Sequence, residues 1–254
     1  MSTKIAVIAD VHGNSAALLA VLNEIDKNPE INHIYCVGDM VGIGYETNEV
    51  LEILFSRNDI SFVMGNHEEE IIAILEGKES VSQSGEKIHH EWLADRLDKK
   101  FIPHIIALPK ELIVEYEGKK LLFTHYHLDA EKQFMAIDTE PSAKKLHDIY
   151  RNSPCDLISF GHHHPIHYFS AEGRIYVNPG SLGCYDKPFA RYATISITTE
   201  DLKVELEEVP YNNQDFLAGY ERLAVPEKDL ILNIFHGNQH HDLKKKSLTE
   251  CNLL

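Results

Sequence analysis

The sequence predicts an α/β fold in which parallel strands alternate with helices. Short apolar runs that end in Gly, Asp, Asn or His recur along the chain, and amphipathic segments of helical length separate the first of them. This alternation is typical of β-α-β units that build a parallel sheet. The chain has 254 residues, 43% of them hydrophobic, which is enough to bury one sizeable core. We therefore expect a single domain that carries an insertion.

The first part of the chain gives the clearest alternation. An apolar run bounded by Asp10 predicts a buried strand, Ser15 can cap the helix that follows, and Pro29 ends that helix. Thr47 or Asn48 can cap a second helix. The expected series is a strand at 4–9, a helix at 15–27, a strand at 34–37, a helix near 48–57 and a strand at 60–64.

The rest of the chain departs from this series. We expect a helical cap inserted at about 68–110, with helices at 69–75 and 88–97 on either side of a polar stretch at 77–85. The elements expected after it are a hairpin of 112–116 and 120–124, a helix at 141–151, a strand at 157–160, two short strands around 171–173, a hairpin within 193–209 and a helix near 213–224. One domain would thus span residues 1–235, and a polar, mobile tail would span 236–254.

Charge and composition exclude several classes of partner. The 24 basic and 40 acidic residues give a net charge of −16, so the surface repels long nucleic acids. The chain enters a strand without a signal peptide and has no apolar run of roughly 20 residues, so we expect a cytoplasmic protein without a membrane partner. Four cysteines include no C-x-x-C pair. The final residues 251–254, CNLL, with Lys244–Lys246 upstream, fit the loose C-a-a-X prenylation pattern, although chance explains so short a match better.

Polar residues follow five of the apolar runs. The carboxyl ends of strands in open α/β sheets are where ligand sites lie. Asp, Asn and His side chains are ligands that divalent transition metals accept, yet each residue taken alone could equally be a helix cap, a turn residue or a core histidine. The five segments are Asp10-Val11-His12, Gly38-Asp39-Met40-Val41-Gly42, Gly65-Asn66-His67-Glu68, Thr124-His125 and Gly161-His162-His163-His164.

These five segments, in this order, resemble the motifs of the calcineurin-like metallophosphoesterase superfamily, and most of all its small bacterial and archaeal phosphodiesterase branch. The resemblance extends to Asn178-Pro179-Gly180-Ser181. It implies a four-layer α/β/β/α sandwich of two mixed sheets, with two metal ions at one edge. Divalent Mn, Fe, Zn and Ni all suit such mixed nitrogen and oxygen ligands.

The resemblance also implies which side chains bind each metal. It assigns to the first ion Asp10, His12, Asp39 and His164. It assigns to the second ion Asp39, Asn66, His125 and His162. Asp39 would bridge the two ions and His163 would point away, because alternate residues of an extended chain face opposite sides. His127 lies two residues beyond His125 and is an alternative to it as a ligand.

The reaction implied by the resemblance is hydrolysis of a phosphoester by a metal-bridging hydroxide, with Asp39 and His67 as catalytic residues. His67 would protonate the leaving group or stabilise charge on the phosphoryl group, unless it only orients the ligands near it. Val41 and Gly42 replace an Asp-Arg pair of the protein phosphatase branch, and this favours a phosphodiester or nucleotide substrate, of the cyclic nucleotide or dinucleoside polyphosphate class. Candidate substrate contacts are Tyr45, Trp92 and Arg191, each of which could instead serve packing or the surface.

The same fold also serves proteins that do not catalyse, so a scaffold or a nucleotide-sensing protein is the alternative. A scaffold has no need of a full ligand set, and here every ligand position is filled. The expected partner is therefore a small phosphorylated substrate, with a nucleotide as the favoured class, and the protein could form a homo-oligomer.

Overall fold

Two five-stranded sheets packed face to face form the centre of the protein. The structure, a computed structural model, describes residues 2–78 and 84–241. The strands are β1 (Thr3–Ile8), β2 (Ile31–Cys36), β3 (Ile60–Phe62), β4 (Glu111–Tyr116), β5 (Lys119–Thr124), β6 (Leu157–Ser159), β7 (His167–Ala171), β8 (Arg174–Asn178), β9 (Phe189–Ile197) and β10 (Leu202–Pro210). The helices are α1 (Ser15–Asp26), α2 (Thr47–Phe55), α3 (Asn66–Leu75), α4 (Ser84–Ala94), α5 (Ile102–Ile106), α6 (Ala143–Ile149), α7 (Gln214–Arg222) and α8 (Lys228–His236), with a 3-10 turn at Lys99–Phe101 before α5.

Both sheets are mixed. The first has the order β10-β9-β1-β2-β3, in which β1, β2 and β3 run parallel and β9 is antiparallel to both of its neighbours, β1 and β10. The second has the order β4-β5-β6-β8-β7, with a parallel centre and an antiparallel strand at each edge. The predicted β-α-β series and the three predicted hairpins are therefore confirmed.

The alternation of side chains along β1 creates the layers. Ile5 and Val7 point between the sheets, while Ala6 and Ile8 pack against the helices on the outer face. Across the inner layer, the ring of Tyr35 from the first sheet stacks on Phe123 of the second at 3.9 Å. Helix α6 covers the opposite face of the second sheet. The result is the expected α/β/β/α sandwich.

Two helix starts differ from the expectation. Asn14 caps α1 in place of Ser15, because its side-chain oxygen accepts the Ala17 backbone N–H at 3.1 Å. The Ser15 hydroxyl instead donates to Glu46 at 2.6 Å. Helix α2 begins at Thr47 without a side-chain cap. More than one polar residue at a helix start can act as the N-cap, and the sequence does not show which of them bonds a different partner.

Helices α3, α4 and α5 occupy the segment expected to be helical. Of the polar stretch at 77–85, residues 79–83 lie outside the described part of the chain. That the segment is an insertion stays a prediction, as does the single-domain boundary. Across residues 2–78 and 84–241, no helix combines the length and apolar character that a bilayer crossing requires.

Helix α8 was not predicted. It lies where the sequence reads as the approach to a polar tail, and its last residue, His236, is buried and hydrogen-bonds the Tyr220 hydroxyl at 3.2 Å. Gln239 donates to the Tyr185 carbonyl at 3.0 Å. Packed structure therefore extends past the expected boundary at residue 235. Lys244–Lys246 and the CNLL terminus lie outside the described residues.

Candidate active site

Seven predicted ligands converge where strands of both sheets end. Each follows a strand directly or within a few residues, so the sheets determine where their backbones lie. Four of them, the two aspartates and the histidines at positions 12 and 125, are almost completely buried. The first sheet supplies Asp10, His12, Asp39 and Asn66, and the second supplies His125, His162 and His164.

The seven side chains form two groups. In the first, His12 Nε2 lies 3.0 Å from His164 Nε2 and 3.9 Å from Asp10 Oδ1. In the second, His125 Nε2 lies 2.9 Å from Asn66 Oδ1 and 3.3 Å from His162 Nδ1.

One carboxylate oxygen belongs to both groups. Asp39 Oδ2 is 3.9 Å from His12 Nε2 and 3.1 Å from His125 Nε2. The arrangement therefore separates His162 and His164 into different groups and joins the groups through Asp39.

Backbone carbonyls orient two of the histidine rings. His12 Nδ1 lies 3.1 Å from the Val41 carbonyl, and His125 Nδ1 lies 2.8 Å from the Val37 carbonyl. A carbonyl only accepts, so each Nδ1 carries a proton, and Nε2 is the ring nitrogen that is left to bind a metal. Histidines that bind metals are held in this way.

The electrostatics of the groups call for a cation. Burial, together with the nearby Asp39 carboxylate, raises the pKa of Asp10 to about 7. Burial alone would lower the pKa of His125, but Asp39 raises it to about 9. In the metal-free protein, bound protons thus neutralise part of the negative charge of the buried carboxylates. Nitrogen and oxygen donors in this pattern fit divalent transition metals, and these seven residues would hold them.

The ligand loops adopt unusual backbone conformations. Four predicted ligands are in the left-handed region: φ is 55° at Asp10, 47° at His12, 53° at Asp39 and 66° at His162. Such conformations carry a conformational cost, and they concentrate where surrounding structure compensates for it, commonly at functional sites.

Glu68 provides part of that compensation. Its fully buried carboxylate accepts the backbone N–H groups of Asp39 at 2.9 Å, Val41 at 3.1 Å and Gly65 at 2.8 Å. It therefore connects the loops that follow β2 and β3. The sequence motif contained Glu68, but its spacing gave no role for it.

The segment at 178–181 holds the other side of the site. The Asn178 amide donates to the Gly161 carbonyl at 3.1 Å, and the Ser181 hydroxyl donates to the Asp10 carbonyl at 2.8 Å. Both side chains therefore have a structural role, and the Ser181 hydroxyl is used to hold the backbone at Asp10.

His67 is fixed between two neighbours. Its Nδ1 lies 2.6 Å from His90 Nε2, and its Nε2 lies 3.8 Å from Asp39 Oδ2. A Cβ placed on Gly42 would lie 2.3 Å from His67 Nδ1, so only glycine leaves room for the ring there. Burial, aided by His90, lowers the pKa of His67 to about 3. The ring is therefore neutral at neutral pH in the metal-free protein, with Nε2 facing the ligand groups.

Two other histidines of the motifs lie apart from the ligand groups. His163 Nδ1 bonds His167 Nε2 at 2.9 Å. His127 Nδ1 bonds the Tyr150 hydroxyl at 3.0 Å, and burial lowers the pKa of His127 to about 4. The structure thus gives His127 a partner in the core beside α6 and leaves His125 facing Asp39.

The three candidate substrate contacts have mainly structural contacts. The Tyr45 hydroxyl donates to the Phe216 carbonyl at 2.8 Å, and Trp92 packs in the core. Arg191 pairs with Glu208 at 3.0 Å and its guanidinium lies 3.2 Å above the Tyr185 ring. Only Arg191 of the three lines a cavity beside the ligand groups.

Two cavities adjoin the ligand groups. The larger, of about 640 Å³, extends past His163 to Arg191 and Tyr185. The smaller, of about 340 Å³, extends past His67 to residues of α4 and α8. The residues that line both cavities are Ile137, His162, His164, Ile234 and Phe235.

Several of these contributors were missed from sequence. His90 and α8 come from segments without a strand-end motif, so no pattern connected them to the site. Cys184 Sγ lies within 4.8 Å of the ring nitrogens of His12 and His164, although the sequence suggested only a buried thiol. Burial raises the pKa of the Cys184 thiol well above its usual value, so this group is protonated in the metal-free protein.

Comparison with known proteins assigns the family. Residues 3–200 match the model of the calcineurin-like phosphoesterase superfamily domain. The chain belongs to the calcineurin-like phosphoesterase superfamily. It is 30% identical over 242 residues to the uncharacterized protein MJ0912 of Methanocaldococcus jannaschii, which covers 88% of this chain and 93% of that protein. Membership agrees with the predicted fold and supports metal binding by the Asp and His groups.

Other similarities cover the fold or part of the chain. A metallophosphoesterase from Sphaerobacter thermophilus has a TM-score of 0.69 at 21% identity, covering 90% of this chain and 96% of that one. The symmetrical bis(5'-nucleosyl)-tetraphosphatase of Erwinia tasmaniensis is 29% identical over 122 residues. That match covers 47% of this chain and only 42% of the tetraphosphatase.

Proposed function

We propose that the protein is a dinuclear metal-dependent phosphoesterase that hydrolyses a phosphodiester or a nucleotide. The observation that carries the proposal is the position of Asp39 Oδ2, within 3.9 Å of His12 Nε2 and 3.1 Å of His125 Nε2. One carboxylate shared by two donor groups is the arrangement that two neighbouring ions need. When bound, a pair of ions supplies charge neutralisation for the phosphate and activation of a water molecule.

The chain's own residues supply orientation. The Asp39 carboxylate accepts the His67 backbone N–H at 3.0 Å, so the ligand and the candidate catalytic residue are positioned together. His67 Nε2 faces the same space. We infer that His67 protonates the leaving oxygen or donates a hydrogen bond to the transferring phosphoryl group.

The substrate class has partial support from relatives. A tetraphosphatase that acts on bis-nucleosyl substrates by name is similar to about half of this chain. We therefore propose a cyclic nucleotide or a dinucleoside polyphosphate as the substrate class, in a cytoplasmic enzyme. The identity of the metals, among Mn, Fe, Zn and Ni, remains part of this proposal.

The alternative is a scaffold or nucleotide sensor with the same fold. The complete and buried donor groups favour the enzyme, because a scaffold gains nothing from buried carboxylates whose charge requires a cation.

Metal content and hydrolysis test the proposal together. The protein would be loaded with each of the four metals in turn, analysed for metal per chain, and assayed on bis(p-nitrophenyl) phosphate and a nucleotide panel. We expect two metals per chain and hydrolysis of the aryl diester. One metal or none would contradict the dinuclear centre. Two metals without hydrolysis of any substrate would favour the scaffold.

A further inference from the structure

The smaller cavity contains ionisable side chains without an intramolecular partner. Glu86 and Glu227 line it, and neither carboxylate forms a hydrogen bond or ion pair within residues 2–78 and 84–241. Both are exposed to solvent, so they form the rim of the cavity. The Glu227 side chain lies against the backbone of Gly85, where an added Cβ would be 2.4 Å from its Cδ. One acid thus comes from α4 and the other from the residue before α8, and both line the same cavity.

A third group in the cavity points independently to a ligand. His89 is only 3% exposed, yet neither ring nitrogen has a hydrogen bond of normal geometry in the described structure. The ring lies beside the Pro226 carbonyl, and burial lowers the pKa of His89 to about 4, which keeps the ring neutral. A buried imidazole without partners costs free energy unless something fills the cavity and bonds it.

Beyond the predicted ligands, His67 and His90, the rest of the wall of this cavity is apolar. Among the described lining residues there is no Lys or Arg, while α8 contributes Leu230, Ile231, Ile234 and Phe235. A polyphosphate arm placed here would meet two carboxylates without a compensating charge. A flat or aliphatic group bearing N–H donors would find both an apolar wall and acceptors.

We propose that this cavity binds the leaving arm of the substrate, and that this arm carries N–H donors and no negative charge of its own. The proposal rests on the proposed function, because His67, the candidate leaving-group acid, lines this cavity and does not line the larger one. The arm is either an alcohol bearing an ammonium group or a nucleoside whose base has an amino group, so the inference narrows the proposed substrates to a linear phosphodiester and sets aside the cyclic nucleotides and dinucleoside polyphosphates. In the reaction, a water oxygen forms a bond to phosphorus, the bond from phosphorus to the oxygen of the arm breaks, and that oxygen gains the proton that the water loses, so the arm departs with a neutral hydroxyl group.

Matched substrates test the charge preference. Three methyl aryl phosphodiesters carry aminomethyl, hydroxymethyl or carboxymethyl at the para position, so their phenol leaving groups differ mainly in charge. We expect kcat/KM to fall in the order cationic, neutral, anionic, by about fivefold per unit of charge, the effect of a partly screened ion pair. Glu86→Gln and Glu227→Gln should flatten this order. Glu115→Gln, which removes one exposed charge from β4, is the control and should preserve it.

A second pair of substrates distinguishes the two sources of N–H donors. Methyl diesters of cytidine and uridine 5'-phosphate differ at one amino group of the base, and release of the nucleoside identifies it as the leaving arm. Faster release of cytidine than of uridine would identify a nucleoside arm, and equal rates with a preference for the aminomethyl ester would identify an ammonium alcohol. His89→Phe should raise KM for the preferred arm while the metal content stays unchanged.

Three outcomes would overturn the inference. Equal rates for the three aryl esters, or the highest rate for the anionic one, would remove it while leaving the phosphoesterase proposal intact. Because Glu86 lies within 4.8 Å of the His67 and His90 ring nitrogens, a third metal that is lost in Glu86→Gln would assign that carboxylate to an ion instead. Failure to hydrolyse any diester at full metal content would reject the proposed function itself.

Discussion

The strand ends that carry the candidate ligands and the cavity wall built by α4 and α8 differ in how their polar atoms are satisfied. At the strand ends, Nδ1 of His12 and Nδ1 of His125 bond backbone carbonyls, and Glu68 alone accepts three backbone N–H groups. On the wall, Glu86, Glu227 and His89 have no such partner in the described structure. Contacts within the protein therefore satisfy the polar atoms of the first region, whereas the polar atoms of the second are left to bond the ligand.

This difference predicts unequal responses to mutation. Changes of the predicted ligands at the strand ends should affect every substrate alike, because they alter the centre that all substrates share, whereas the effect of losing His67 should depend on the leaving group. Changes on the wall should alter the ranking of substrates. The following variants test the first half of that statement.

Asp39→Ala should have the largest effect. Of the seven predicted ligands, Asp39 alone belongs to both donor groups, so metal content should fall by more than in any other single-ligand variant, and activity should fall by more than about 10⁴-fold. Elemental analysis and turnover of an aryl diester measure both. His12→Ala, which affects one group, is the comparison. Retention of two metals by Asp39→Ala would contradict a shared ligand.

His67→Ala should keep both metals and most of KM but lose about 10²–10⁴-fold in kcat, the usual range for general acid–base catalysis. An acid role predicts a larger loss with a nucleoside leaving group than with nitrophenolate, which departs without a proton. An equal loss with both would leave only charge stabilisation. Loss of metal from this variant would instead make His67 a structural residue.

Gly42→Ala should displace His67. The new Cβ would lie 2.3 Å from His67 Nδ1, and φ at Gly42 is +84°, so we expect about 1–2 kcal/mol of lost stability and roughly 10²-fold lower kcat. Gly118→Ala is the matched control, because φ there is +78° and no atom lies within 4 Å. The Tm should fall in both variants, and further in Gly42→Ala because of the added contact with His67, while only Gly42→Ala should lose activity. Similar activity in the two variants would show that the ring position is unimportant.

His163→Ala should have the smallest effect, less than about twofold on metal content and on kcat for an aryl diester. Its ring bonds His167 and lies outside the ligand groups, whereas His164, one residue later, lies 3.0 Å from His12. His164→Ala should therefore lose metal. If the two variants exchanged behaviour, the assignment of ligands along Gly161–His164 would be wrong by one residue.

The two regions also differ in how far the sequence predicted them. Strand ends are visible as an apolar run followed by a polar residue, and parallel pairing within the first sheet brings such ends to one edge, so Asp10 and Asp39 could be placed together from sequence. Each of these positions can therefore be read from the short segment of sequence around it. The second sheet, and with it the position of His125 beside them, was implied only by the family resemblance.

The wall depends on packing between distant segments. His90 reaches His67 only because α4 packs beside α3, and no spacing in the sequence encodes that contact. Helix α8 was missed because Leu230 and Ile234 are more than half exposed, so its apolar residues do not resemble the buried face of a core helix. Glu68 was visible in a motif, but the three N–H groups it accepts come from loops that only the fold brings together.

The division of the donors between the two sheets has a consequence for the lifetime of the protein. His12 of the first sheet and His164 of the second lie 3.0 Å apart, and Asp39 and His125 meet across the same boundary. Metal ions bound there would link the two sheets, much as a disulfide links two segments. They would stabilise the native state, because a ligand that binds only that state shifts the folding equilibrium towards it. Loss of metal would then expose the ligand-bearing strand ends to amide exchange and proteolysis. The metal supply of the cell would therefore determine the abundance of this protein as well as its rate of turnover.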